Sequence, residues 1–173
     1  MATQHFILLY SCQIFLKLII KKGGDVNAVN VDGFTPLHQA MFHTFSSGAV
    51  GPLLRAGGKV QCRDKQGNTP LHIALALGRD HIASLLIEYG SDVHATNGQG
   101  RTCLHVAVAW ERDCMARTLI LHGAQVNSVD ELGSTPLHLA VYTNDESLAK
   151  ALLKHGTDPE ATDYKGSTPL HVG

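Results

Sequence analysis

The chain has 173 residues, with 14 basic and 15 acidic side chains, a formal net charge of −1 and no run of like charge. Such a balance neither neutralises a phosphate backbone nor draws a protein to an acidic membrane, so nucleic acid and lipid surfaces are not the expected partners. The four cysteines, Cys12, Cys62, Cys103 and Cys114, fall singly and without a CxxC pair, which points to a reducing compartment, cytoplasmic or nuclear.

The first apolar stretch, residues 5–20 (HFILLYSCQIFLKLII), has the hydropathy of a signal peptide or membrane span. Gln13 and Lys17 interrupt it and no basic residue precedes it, and the uninterrupted run is far shorter than the roughly 18 to 20 residues that a span needs. Its continuation, IIKKGGDVNA at 19–28, aligns position for position with LIEYGSDVHA at 86–95 and LILHGAQVNS at 119–128. The segment is therefore read as a degenerate first copy of a repeat, not a targeting sequence, and no membrane insertion is expected of it.

Beyond it the tetrapeptide TPLH, or TCLH once, begins at Thr35, Thr69, Thr102, Thr135 and Thr168, at spacings of 34, 33, 33 and 33 residues. A unit of that length is too short to bury a core of its own, so the core must form between neighbours. The copy at 65–97 is the cleanest. Thr69 is a good helix cap and Pro70 a good first helical residue. Leu71, Ala74 and Leu75 then share one helical face, and Gly78 supplies a left-handed stop. The pattern predicts a second helix over Arg79–Tyr89 that buries Ile82, Leu85 and Leu86 and ends at Gly90. The following SDVHATNGQG reads as extended pieces around a hairpin-like turn. Helices this short are marginal alone, because isolated helices below about 12 to 15 residues are poorly populated in water.

The TPLH spacing, the helix-closing glycine, the paired aliphatics and the GxDVNA-like tail together resemble the ankyrin repeat over nearly the whole chain. The resemblance implies an all-α repeat solenoid of stacked helix-turn-helix units with projecting β-hairpin loops and a concave groove. As a single domain over 1–173 it divides into a degenerate repeat at 1–31, repeats at 32–64, 65–97, 98–130 and 131–163, and a partial repeat at 164–173. The chain ends inside the first helix of that last copy, so a monomer is expected unless this uncapped end associates. Six residues depart from the pattern. Gly51 and Pro52 fall where a second helix should be continuous, which predicts a shortened or kinked helix. Thr44, Glu111 and Asn144 replace the inter-helix glycine. Asn tolerates a left-handed backbone, whereas Thr44 and Glu111 mark turns expected to be reshaped. Cys103 stands where proline belongs.

Histidines at a fixed interval invite a metal hypothesis, but equivalent helices in a stack lie roughly 8 to 10 Å apart, and ligands of one zinc must approach within about 4 Å. His38, His72, His105, His138 and His171 therefore cannot share a site. The family resemblance implies instead that each ring hydrogen-bonds adjoining turns and ties a hairpin to the start of its helix. His122 and His155 precede helix-ending glycines, where they meet the helix's negative end. His94 stands in the slot that holds Asn27 and Asn127, and those two asparagines resemble the ones that an asparaginyl hydroxylase modifies in ankyrin domains. No HExxH, GxSxG or GxxxxGK[ST] signature occurs, so neither catalysis nor a cofactor is expected. NGQGRT at 97–102 lacks the lysine and preceding strand of a phosphate loop and reads as a turn.

With the histidines assigned to structure, the variable positions carry the functional reading. In the ankyrin fold the residues seven and eight places after the TPLH threonine line the concave side, and here each pair offers one large side chain, Phe42, Leu77, Trp110 or Tyr142. Aromatic side chains are frequent interface anchors, though a large residue at a helix end also packs against its neighbours. The hairpin tips add Lys65, Gln66, Asn68, Arg101, Glu131 and Leu132, with Gln99, Tyr164 and Lys165 beside them, a mixed set suited to a protein partner. The reading is a non-enzymatic scaffold or adaptor that binds another protein through groove and tips. Two alternatives are the recognition part of a larger enzyme or ubiquitin-ligase adaptor, and the cytoplasmic repeat region of a membrane protein such as a channel.

Overall fold

The computed structural model describes residues 22–42 and 47–172. Most of the degenerate first repeat, with Cys12, and the positions His43 and Thr44 lie outside the described residues. The chain divides into two compact units, up to Ser91 and from Asp92 onward. In the first, α1 (Pro36–Phe42) and α2 (Ser47–Arg55) are followed by α3 (Pro70–Ala76) and α4 (Asp80–Glu88). In the second, α5 (Cys103–Ala109), α6 (Asp113–Leu121), α7 (Pro136–Tyr142) and α8 (Glu146–Lys154) precede a 3-10 turn at Pro169–His171. Each unit is thus built from repeated pairs, a helix of seven residues and then one of nine.

The seven-residue helices start where the threonine caps them. Thr69 Oγ1 accepts from His72 N, and His72 Nδ1 accepts in return from Thr69 N at 3.3 Å, which satisfies two of the donors a helix start leaves over. The same reciprocal box closes at Thr102 with His105 and at Thr135 with His138. All the helix pairs whose ends are described finish in one way. Arg79 N donates to Ala74 O at 2.8 Å and Gly78 N to Leu75 O at 3.1 Å, the double bond of a Schellman turn, and Gly78 carries φ +65°. The equivalent turns keep this geometry with Glu111 (φ +54°) and Asn144 (φ +55°) in the glycine position. Arg112 N still reaches Ala107 O at 2.8 Å and Asp145 N reaches Ala140 O at 2.9 Å. The turn at Glu111 is therefore not reshaped. Its hydrogen bonds offset the backbone strain.

In the first unit α1 packs on α2 and α3, and α3 on α4, burying Leu37, Met41, Leu53, Leu71, Leu75 and Leu86 completely or nearly so. In the second unit α5 and α7 pack together and on α6 and α8, around Leu104, Leu119, Leu148 and Leu152. Each such leucine contributes about 1.5 to 3 kcal/mol on burial, and Arg117 adds a bond from α6 to Ser147 O at 3.2 Å at the start of α8.

Three expectations are corrected. Helix α2 is not shortened: it runs nine residues, as α4 does, with Pro52 inside it. A proline disfavours helical backbone before it by clashing with the preceding Cβ, and Gly51 has none. In α4, Leu85 is only half-buried, while Ala83 and Ile87 join Ile82 and Leu86 in the core. The projecting loops are not strand pairs. Among the described residues the ladder amounts to one isolated bridge, Thr96 with Thr102, because each loop closes too tightly to extend.

Candidate functional site

The loop between repeats is organised by one acceptor side chain. Asp64 Oδ1 accepts from Gln66 N at 2.9 Å and Asn68 N at 2.8 Å. Asp130 does the same for Leu132 and Ser134, and Asp163 for Lys165 and Ser167. Asn30 and Asn97 fill the slot in the remaining loops. The Ser167 N–H, with help from Lys165 N–H, holds the Asp163 carboxyl below its ordinary range. The signal for it in the sequence is an Asx residue recurring at 30, 64, 97, 130 and 163. Backbone bonds then join successive tips: Lys65 N to Asp32 O at 3.4 Å in the first unit, and Glu131 N to Gln99 O and Tyr164 N to Leu132 O at 3.0 Å each in the second.

Histidines close the other side of each loop. His38 Nε2 lies 3.4 Å from Asn68 O, His105 Nε2 3.0 Å from Ser134 O, and His138 Nε2 3.0 Å from Ser167 O. Since Nδ1 accepts from the threonine N–H, Nε2 carries the proton and donates it to the carbonyl. Burial pushes the imidazoles of His38 and His105 below their ordinary range, against the opposing pull of Asn68 O and Ser134 O. Each ring thus ties its helix start to the loop after it, and its two nitrogens are engaged. His122 and His155 point Nδ1 at Thr118 O (2.9 Å) and Ala151 O (2.8 Å), the carbonyls at the ends of α6 and α8. Asn127 spans two loops, donating to Gly156 O at 3.0 Å and accepting from Asp158 N at 3.0 Å, and Asn27 pairs likewise with Gly57 and Lys59. No three His, Cys, Asp or Glu side chains among the described residues group as metal ligands.

The large side chains singled out from the sequence stand at the ends of the seven-residue helices. Leu77 and Trp110 cap α3 and α5, immediately before the left-handed residue, and that turn directs them outward. Phe42 and Tyr142 are the last residues of α1 and α7. In the second unit Trp110 is 56% and Tyr142 75% exposed, beside buried Val108 and Ala140. In the first, Leu77 is exposed, and the Phe42 ring lies edge-on to Phe34 with centroids 5.3 Å apart, so part of it serves packing. Lys65, Gln66, Glu131 and Leu132 are exposed at the tips. Asn68 and Arg101 turn inward. The Asn68 amide donates to Asp64 Oδ2 at 3.1 Å, and Arg101 Nε lies 3.3 Å from the buried Asp130 carboxylate.

A family model describing ankyrin repeats in three copies matches residues 44–130 and 104–173. The chain belongs to the ankyrin-repeat family. Its curated ankyrin relatives are diverse. The ankyrin repeat protein FPV031 of fowlpox virus is 36% identical over 81 residues, 44% of this chain and 24% of that one. The nuclear factor NF-kappa-B p105 subunit of Gallus gallus is 34% identical over 91 residues, 49% and 9% of the two chains. The potassium channel SKOR of Arabidopsis thaliana is 39% identical over 72 residues, 42% and 9%. The matched part is a quarter or less of each relative's length. Ankyrin repeats generally mediate protein–protein interaction, and the fold is typically non-catalytic. No helix among the described residues is long and apolar enough to cross a membrane.

Proposed function

We propose that this chain is a scaffold or adaptor that binds another protein through the ends of its seven-residue helices and its loop tips. The observation that carries the reading is the exposure of Trp110 and Tyr142 at the ends of α5 and α7, helices whose Leu104, Val106, Val108 and Leu137 are buried. Leaving an indole and a phenol in water forfeits burial energy that a partner would recover, and aromatic anchors of this kind dominate many interfaces. Glu131 and Leu132, exposed at a tip of the same unit, supply a mixed polar and apolar rim. In the other unit Leu77, Lys65 and Gln66 have the same character, with Phe42 partly committed to Phe34. The role is one of recognition, without catalysis or a cofactor. The cysteines, falling singly along the chain without a CxxC pair, favour the cytoplasm or nucleus.

Affinity capture from native cells with the tagged chain, compared with its Trp110→Ala and Tyr142→Ala variants, tests this. Each variant should lower recovery of the same partner at least about tenfold, or roughly 1.4 kcal/mol, with an unchanged melting midpoint. Undiminished capture by both would sink the proposal.

A second reading is favoured by the relatives themselves. Proteins named as a potassium channel and as a stress-activated protein kinase contain stretches 39% identical to this chain. The same binding face would then act as the recognition part of a larger enzyme, adaptor or membrane protein.

A further inference from the structure

Asn97 occupies the loop slot that Asp64, Asp130 and Asp163 fill elsewhere, and it is followed by Gly98. Its Oδ1 accepts from Gln99 N at 3.0 Å and Arg101 N at 3.1 Å. Its backbone is fixed at the same time, with Asn97 N donating to Arg101 O at 2.9 Å and Gly100 N donating to Asn97 O at 3.0 Å. The side-chain carbonyl is thus held in place and polarised by two donors. Asn97 is half-buried and Gly98 exposed, so water reaches the tip.

We propose that Asn97 is a site of spontaneous deamidation, which converts this tip from an amide to a carboxylate as the protein ages. The Gly98 nitrogen gives up its proton and bonds to Asn97 Cγ, the Cγ–Nδ2 bond breaks, and ammonia leaves a succinimide ring. Water adds to one ring carbonyl and opens the ring to aspartate or isoaspartate. Only water is consumed, and no oxidant or enzyme is required.

The loop assists two steps. Negative charge develops on Oδ1 when the nitrogen attacks, and the Gln99 and Arg101 N–H groups already aimed at that oxygen stabilise it, as donors do in an oxyanion hole. Gly98 has no side chain to crowd its nitrogen. The aspartate product then keeps the Gln99 and Arg101 N–H donors, the same arrangement in which Lys165 N and Ser167 N hold the Asp163 carboxylate at 2.9 and 2.8 Å. It fits the slot and adds one negative charge to a chain whose formal net charge is −1.

Asn30 is the internal control. It sits in the same slot, with Oδ1 accepting from Asp32 N and Phe34 N at 2.9 Å each, but Val31 follows it, and a branched side chain shields the attacking nitrogen.

The full chain, held at neutral pH and physiological temperature and sampled by peptide mass spectrometry, tests the assignment. Asn97 should gain one mass unit at least about tenfold faster than Asn30, and Gly98→Ala should slow that gain by about the same factor. Conversion of Asn97 no faster than that of Asn30 would overturn it. Asn97→Asp should melt at or above the unaltered chain, and a clearly lower midpoint would overturn the fit of the product to the loop.

Discussion

Glu111 holds φ +54° in the position where its counterpart Gly78 holds +65°. A side chain in that region costs roughly 1 to 2 kcal/mol, and the Schellman bonds from Glu111 and Arg112 to Val108 and Ala107 keep it there. Glu111→Gly should therefore stabilise the chain, by about 1 kcal/mol after the greater backbone entropy of unfolded glycine is set against the relieved strain. Urea unfolding would read this as a higher midpoint at constant slope, and a lower midpoint would show that the Glu111 side chain makes a compensating contact. Asn144→Gly should gain less, since asparagine tolerates the same backbone more easily. That residue 111 departs from the pattern is plain in the sequence. Whether the turn or the residue gives way was settled by the bonds around it.

A seven-residue helix depends on its ends. In α7, Thr135 Oγ1 accepts from His138 N and lies 2.9 Å from His138 Nδ1, so one hydroxyl serves both the cap and the imidazole. Thr135→Ala should cost about 1 to 2 kcal/mol, the upper range for a cap, because the buried ring loses a partner as well. Thr135→Ser, which keeps the oxygen, should recover most of it; a matching loss in both variants, measured by thermal denaturation, would mean that the methyl packing matters more than the cap. The helix starts, the capping threonines and the glycine stops were legible in the sequence because each is a local chemical requirement, whereas the return bond from each threonine N–H to the histidine Nδ1 came from the structure. Helix α2 was not legible either, since the tolerance of Pro52 rests on Gly51 beside it and on a core of Ala49, Val50, Leu53 and Leu54 that holds the helix in place.

At the scale of the whole molecule, His38 and His105 make stability depend on pH. His38 and His105 are fully buried with Nδ1 committed to an N–H, and burial lowers their pKa from the ordinary 6.5. Asp64 faces His38, and Asp130 and Arg101 face His105, with the carboxylates opposing the shift and Arg101 reinforcing it. In the unfolded chain both rings take up protons near pH 6.5, while the folded chain resists. The unfolded state then binds more protons, and stability falls as pH drops below about 6.5, by up to about 1.4 kcal/mol per pH unit for each histidine. Above that pH this contribution is complete and flat. Urea midpoints measured across neutral to mildly acid pH should decline on the acid side only; a midpoint independent of pH over that interval would contradict the assigned tautomers.

The sequence by itself determined the repeat length, the helix pairs and the capping threonines, because these follow from neighbours a few residues apart and return in every copy. The structural role of the TPLH histidines came from the family resemblance, their Nε2 partners Asn68, Ser134 and Ser167 lying in the next loop. The sequence also picked out the large residues at the helix ends. Only the tertiary structure decided which side chains remain outside. Phe42 meets Phe34, Asn68 and Arg101 turn back onto Asp64 and Asp130, and Trp110 and Tyr142 stay in solvent. Those outcomes depend on residues brought together from different loops and helices, and spacing along the chain does not encode that.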